Sequence, residues 1–154
     1  MKPAADHSLP RHRRAVEAGQ LAAGENGRPL AVLLLDLDGF KHVNDELGHS
    51  AGDELLRETG QRIRDAVRGE DLAGRLGGDE FQVLLPQAGP EQAEDVIRRL
   101  RAEIIRPVPV GGVLATVGVS IGAAYRRAGE DTSLDALTAL ADQAMYREKS
   151  ISRR

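Results

Sequence analysis

The sequence predicts a single α/β domain folded as a sandwich, and three observations carry that reading. A continuous apolar run, Leu30-Ala-Val-Leu-Leu-Leu35, ends in Asp36 and has the length of a buried strand. Two shorter apolar runs, 72–76 and 81–85, flank Gly77-Gly78 and read as a hairpin. Three windows, 52–67, 90–106 and 133–149, carry apolar residues at helical spacing. The order is strand, helices, hairpin, helix, strands, helix, which gives a βαββαβ core.

The elements follow in sequence. Residues 11–23 come after Pro10 and are expected to be helical, and Gly24-Glu-Asn-Gly-Arg-Pro29 is a turn. Leu30 to Asp36 is the buried strand, and Phe40 to Leu47 a short helix. Gly52 to Val67 is a longer helix with Leu55, Leu56, Thr59, Ile63, Ala66 and Val67 near one face. Gly77-Gly78 supplies the positive φ that a tight hairpin requires, so Asp79 and Glu80 fall at its tip or on the outgoing strand. Pro90 to Arg106 reads as a helix with proline near its start and Ala93, Val96, Ile97, Leu100 and Ile104 on one side. Val108–Val110 and Val113–Ala124 read as strands joined by Gly111-Gly112. Ser133 to Lys149 is the last helix, with Leu137, Leu140, Ala141, Ala144 and Met145 expected inward.

Composition narrows the function. A chain of 154 residues that is 41% hydrophobic can hold a core, and one domain is expected. No stretch approaches ~18 uninterrupted apolar residues, so no membrane insertion is expected. The N-terminus lacks the apolar centre of a signal peptide. Cysteine is absent, which excludes disulfides and thiolate metal sites and fits a cytoplasmic location. Net charge is −3, with a pI near 5.8, and argues against broad nucleic-acid binding. The basic run Arg11-His-Arg-Arg14 reads as a solvated helix face. Two Phe, two Tyr and no Trp are too few for a base-stacking platform.

The acidic clusters carry the chemistry. Asp36 and Asp38 are two apart on a strand, so they share a face while Leu37 points away. Asp79 and Glu80 form a second cluster. Carboxylates at the ends of apolar strands call for a cation to offset their desolvation. Surface acids are the usual explanation of one such pair, but two in matched contexts suggest a hard-metal site for phosphoryl chemistry. Gly39-Phe40-Lys41 opens a helix just after the first cluster, where backbone N–H groups favour an anion and Lys41 adds positive charge.

Five motifs in order carry a family resemblance over about residues 30 to 153. They are Asp36-Leu-Asp-Gly-Phe-Lys-His-Val-Asn44-Asp45, Gly48-His49-Ser-Ala-Gly52-Asp53, Gly77-Gly78-Asp79-Glu80-Phe81, Ser120-Ile-Gly122, and Ala141-Asp142-Gln-Ala-Met-Tyr146-Arg-Glu-Lys149. On these the chain resembles the GGDEF family of diguanylate cyclases, nucleotidyltransferases that condense two GTP into cyclic di-GMP, a bacterial second messenger. The resemblance implies a nucleotide-cyclase or polymerase-palm type of sandwich with a mostly antiparallel central sheet. It implies a magnesium site, two ions per active site with manganese as a substitute, formed by Asp36, the Leu37 carbonyl and Asp79. Asp79, Glu80 and Lys41 are then the catalytic residues, Glu80 as ligand or proton acceptor.

Further roles follow from the same resemblance. Phe40, Lys41, Lys149 and Arg153 would contact phosphates, although a solvated charge is an equal reading of Arg153. Asn44 and Asp53 would read guanine, since Asp accepts from its N1–H and N2–H₂ edge. Each could instead be a helix cap, Asp53 especially. An aspartate at 53, where a related adenine-using subgroup has serine, implies GTP specificity. His49 is expected to have a structural role in its loop. Arg68-Gly-Glu-Asp71 matches the offset of the family's product-inhibition site, against the alternative of a salt bridge at a helix end. Each subunit of a transient homodimer would hold one GTP. No heptad seam is present and no sensor domain is expected before residue 1, so that encounter is expected to be weak.

Residues 1–29 depart from the pattern and are expected to form a divergent N-terminal helix and turn, with the cyclase domain spanning 30–154. Where the family has Asp-x-Leu-Thr-Gly-Leu-x-Asn-Arg, this chain has Asp6-His-Ser-Leu-Pro-Arg-His-Arg-Arg14. That erosion keeps an alternative in view: a catalytically weak module that binds GTP or cyclic di-GMP as a sensor. A polymerase palm is the third reading, with no room for fingers or thumb.

Overall fold

The structure, a computed structural model, describes residues 27–152, the side chain of Ser152 excepted. The helix expected over 11–23 and the candidate Arg153 lie outside the described residues.

The apolar run becomes strand β1 (Leu30–Asp38), buried over all but its last residue. Gly39 turns the chain into helix α1 (Phe40–Leu47), and Gly48 leads into α2 (His49–Ala66). Hairpin β2 (Leu72–Gly77) and β3 (Glu80–Pro86) follows, then α3 (Pro90–Ile104). A small ribbon, β4 (Val108–Val110) with β5 (Val113–Ala115), precedes β6 (Gly118–Arg126) and α4 (Leu134–Ser152).

The main sheet has the order β2-β3-β1-β6, and each neighbouring pair is antiparallel. β1 is central because its near-continuous apolar sequence can be buried on both faces. Leu33, Leu35 and Leu37 join the core that α2 and α3 build on one side. Leu30, Val32 and Leu34 face α4 on the other, against Leu134, Leu137, Ala141 and Met145. Those four α4 residues recur at helical spacing and form one stripe.

Three expectations change. Residues 113–124 are not one strand: the chain switches partner at Thr116-Val117, β5 pairing with β4 and β6 with β1. Hydropathy cannot register a change of partner, because both halves remain apolar. Leu140 is not inward: it is 51% exposed, on the flank of the α4 stripe. Helix α2 begins at His49, three residues before the expected start, so His49 is helical rather than in a loop.

Candidate active site

Strand alternation brings the acids together. With Leu33, Leu35 and Leu37 facing α2 and α3, Asp36 and Asp38 emerge on the α4 side. Glu80 on β3 and Ser120 on β6 are the cross-strand partners of Asp36, so their side chains share this face. Ser120 Oγ donates to both Asp38 oxygens, at 3.0 and 2.9 Å. Lys149 reaches in from α4, its Nζ 2.8 Å from Asp38 Oδ1 and 3.2 Å from Asp36 Oδ2.

The hairpin supplies the remaining carboxylate. Gly77 pairs with Glu80, leaving Gly78-Asp79 as a two-residue turn, with φ of 52° at Gly78. A left-handed residue here matches the twist of the strands, and glycine adopts it without strain. Leu76 is bulged out between the Arg75 and Gly77 pairings. Arg75 Nε donates to the Gly78 carbonyl at 2.9 Å, and Leu37 N–H donates to the Asp79 carbonyl at 3.2 Å. The turn is thereby held against the end of β1.

The cluster is electrostatically loaded. Burial, and then the charge of Asp79, raise the Asp36 carboxyl above the ordinary range, while Lys149 opposes them. Burial, with the charges of Asp36 and Asp142, raises Glu80. Burial disfavours the Lys149 ammonium, but the hydrogen bond to Asp38 and the charge of Asp36 prevail and hold it above its usual value. Lys149 satisfies one oxygen of Asp36. The other, Oδ1, is buried with no hydrogen-bond partner.

An unpartnered buried carboxylate oxygen beside a second carboxylate fits a hard cation. Among the described residues no three His, Asp or Glu side chains gather as a complete metal cage. Magnesium does not require one, since it is commonly held by one or two carboxylates together with substrate phosphates and water.

The neighbouring elements present polar groups around this centre. Helix α1 starts with no side-chain cap, leaving its first N–H groups to solvent or a ligand, and Lys41 is exposed there. Asn44 lies on α1 and Asp53 on α2. Gly48, not Asp53, is the α2 N-cap, so the capping explanation of Asp53 does not hold. Asn44 Nδ2 lies 3.1 Å from His49 Nδ1, and its Oδ1 occupies the space beside Gly52, near Phe40.

Arg68 and Asp71 lie elsewhere, past the end of α2. They form a tight turn: Asp71 N–H donates to the Arg68 carbonyl at 2.7 Å, and Arg68 N–H to Asp71 Oδ2 at 2.9 Å. The carboxylate thus holds Arg68 by its backbone rather than by its guanidinium. Both line a cavity of about 560 Å³ together with Arg99 of α3, whose guanidinium donates to the Ala66 carbonyl. Burial raises the Asp71 carboxyl, against the opposing pull of the Arg68 N–H and the charge of Arg99.

Two residues receive no role from the sequence reading, Ser120, although its Ser120-Ile-Gly122 motif is read there, and Arg99. Ser120 gains its place from strand register, and Arg99 from the packing of α3 beside α2. Arg99 stands in the run Arg98-Arg99-Leu100-Arg101, where nothing local sets it apart.

An antiparallel sheet flanked by helices thus carries acids on a strand end and on an adjoining hairpin. A family model described as "Diguanylate cyclase, GGDEF domain" matches residues 13–154, and the chain belongs to the GGDEF family. It is 37% identical over 150 residues to the response regulator PleD of Caulobacter vibrioides, covering 92% of this chain and 33% of PleD. It is 41% identical over 126 residues to MucR of Pseudomonas aeruginosa, a bifunctional diguanylate cyclase/cyclic di-GMP phosphodiesterase, covering 82% of this chain and 18% of MucR. The chain thus spans a third or less of the length of these two relatives.

Among solved structures, the GGDEF domain of YfiN (TpbB) from Pseudomonas aeruginosa superposes with a TM-score of 0.81 at 41% identity. The match covers 93% of this chain and 91% of that one. The coiled coil and GGDEF domain of DgcB from Caulobacter crescentus, in complex with c-di-GMP, gives 0.76 at 26% identity, covering 90% and 73%.

Proposed function

We propose that this chain is a diguanylate cyclase that joins two GTP molecules into cyclic di-GMP across a transient homodimer. The observation that carries it is the convergence of Asp36, Glu80 and Lys149 beside the Asp79 turn, with Asp36 Oδ1 buried and unpartnered. The domain proper is residues 30–154, with 1–29 as a divergent lead, and its place is the cytoplasm, where GTP is made.

In each half-reaction the 3′-hydroxyl oxygen of one GTP attacks the α-phosphorus of the other. A phosphorus–oxygen bond forms, the bond to the bridging oxygen breaks, and pyrophosphate leaves. Repeating this in the opposite sense closes the ring. Glu80, on the same face as Asp36, serves either as a further ligand or as acceptor of the hydroxyl proton. Asp36, the Leu37 carbonyl and Asp79 would hold magnesium or manganese. When bound, two ions per site supply Lewis-acid stabilisation of the attacking and leaving oxygens. Phe40 and Lys41 at the uncapped start of α1, with Lys149 and Arg153, bind phosphate oxygens. Asp53 and Asn44 read guanine.

The Arg68–Asp71–Arg99 cavity supports a second role for the same chain, binding of cyclic di-GMP as product inhibitor. Arginines grip phosphate and stack on purines, and Asp71 accepts from a guanine edge.

The test is incubation with GTP and magnesium or manganese, followed by nucleotide chromatography and pyrophosphate assay over a dilution series. Cyclic di-GMP should form, with specific activity rising with protein concentration. No product under any of these conditions, with cyclic di-GMP still bound, would favour the sensor module instead. Constant specific activity down to a concentration at which scattering shows only monomer would refute the shared site.

A further inference from the structure

We infer that Arg101 and Glu148 form a positioning pair that sets Lys149 over the two aspartates. Among the described strands, β6 is an edge of the main sheet, so its outward backbone groups need partners from elsewhere. Glu148 provides one. Its Oε1 accepts the Ile121 N–H at 2.6 Å, and its Oε2 accepts Arg101 Nη2 at 2.7 Å. Arg101 belongs to α3, on the opposite face of the sheet from α4. One carboxylate therefore joins α3, β6 and α4 around the sheet edge.

Two chain neighbours connect this junction to the candidate active site. Lys149 follows Glu148 directly, and Ser120, which donates to Asp38, precedes Ile121. Consecutive Cα atoms are ~3.8 Å apart, so a fixed Glu148 fixes the origin of the Lys149 side chain. Beyond the buried Met145, Glu148 and Lys149 carry the polar ties of α4 to the sheet, and ordering a long lysine without its neighbour costs entropy. Arg101 and Glu148 are 40% and 34% exposed, whereas the Lys149 side chain is 15% exposed. The pair forms the rim and the lysine sits inside it. Arg101 and Glu148 bond to each other, to the Ile121 N–H and to the Val119 carbonyl rather than to the aspartates, which makes them positioning residues for Lys149 in this proposal.

Amine labelling tests this without turnover, because Lys2, Lys41 and Lys149 are the only lysines of the chain. Acetic anhydride reactivity is read by mass spectrometry, with exposed Lys41 as internal reference. Arg101→Met and Glu148→Gln should raise the Lys149 rate relative to Lys41 by about two- to five-fold, the range an exposed ion pair can supply. Glu148→Gln retains an acceptor for Ile121 N–H, and Arg101→Lys should restore protection. Unchanged Lys149 labelling in folded variants would overturn the proposal, and so would an equal rise at Lys41.

A second arm rests on the phosphate role proposed for Lys149 and measures binding of a fluorescent GTP analogue with magnesium. Arg101→Met should weaken binding in the parent and not further in a Lys149→Met background. If Lys149 labelling rises while nucleotide affinity stays constant, the positioning pair stands and the phosphate role of Lys149 falls. An affinity loss that persists in the Lys149→Met background would mean that Arg101 does not act through the lysine.

Discussion

Gly122→Ala should damage both the fold and the active site, because this residue is where β6 meets α4. A Cβ at position 122 would lie 2.1 Å from the Ala141 carbonyl oxygen and 2.1 Å from Met145 N. Both are backbone atoms, so no rotamer change relieves the clash. Reaching even a tight 3.4 Å contact requires α4 to retreat by about 1.3 Å. The retreat opens the layer containing Leu134, Leu137, Ala141 and Met145. Overpacking of this kind costs typically 1–3 kcal/mol, and a backbone clash belongs at the upper end, about 3 kcal/mol. For a domain of this size that corresponds to a fall of roughly 6–12 °C in Tm. The same movement carries Lys149 away from Asp36, from 3.2 Å to beyond the ~4 Å limit of an ion pair. Turnover at 20 °C, where the variant remains folded, should therefore fall as well. Calorimetry and a pyrophosphate assay read the two effects, with Gly69→Ala as stability control, since nothing lies within 4 Å of its added Cβ. A Gly122→Ala Tm no lower than that of Gly69→Ala would refute the close-approach argument.

Asp36→Asn should cut turnover by about 10²-fold or more by removing the carboxylate proposed to bind the cation, while Tm stays equal or rises. The sign follows from the raised Asp36 pKa: burial and Asp79 make its ionised form costly at neutral pH, and the amide removes that charge. Asp79→Asn should cost a similar factor in turnover, and parent rates in both variants would dismiss the metal assignment. GTP should be preferred over ATP by at least ~100-fold in kcat/KM, and Asp53→Ser should narrow the gap, because adenine would leave the groups proposed to read guanine unpaired. Equal rates on both nucleotides in the parent would remove that role from Asp53 and Asn44. Arg68→Ala should relieve inhibition by added cyclic di-GMP without lowering the initial rate, and Arg99→Ala should do the same. Calorimetric titration showing parent affinity in both variants would leave the cavity without this ligand.

The sequence alone determined the order of elements, the apolar central strand, the glycine hairpin and the common face of Asp36 and Asp38. All of these depend on local periodicity and turn chemistry, which operate over a few residues. It also determined the family, through five motifs in order, with no knowledge of how they meet. The tertiary structure alone decided which residues from distant segments face one another. Strand register set Glu80 and Ser120 opposite Asp36, from 44 and 84 residues downstream. The close approach of α4 to β6 explains why position 122 has no room for a side chain. Helix packing brought Arg99 to the Arg68–Asp71 turn and Arg101 to Glu148. The division of 113–124 into two strands and the outward turn of Leu140 were likewise undetermined by the sequence. Hydropathy records that a residue is apolar, whereas its partner is chosen by the packing of the whole chain.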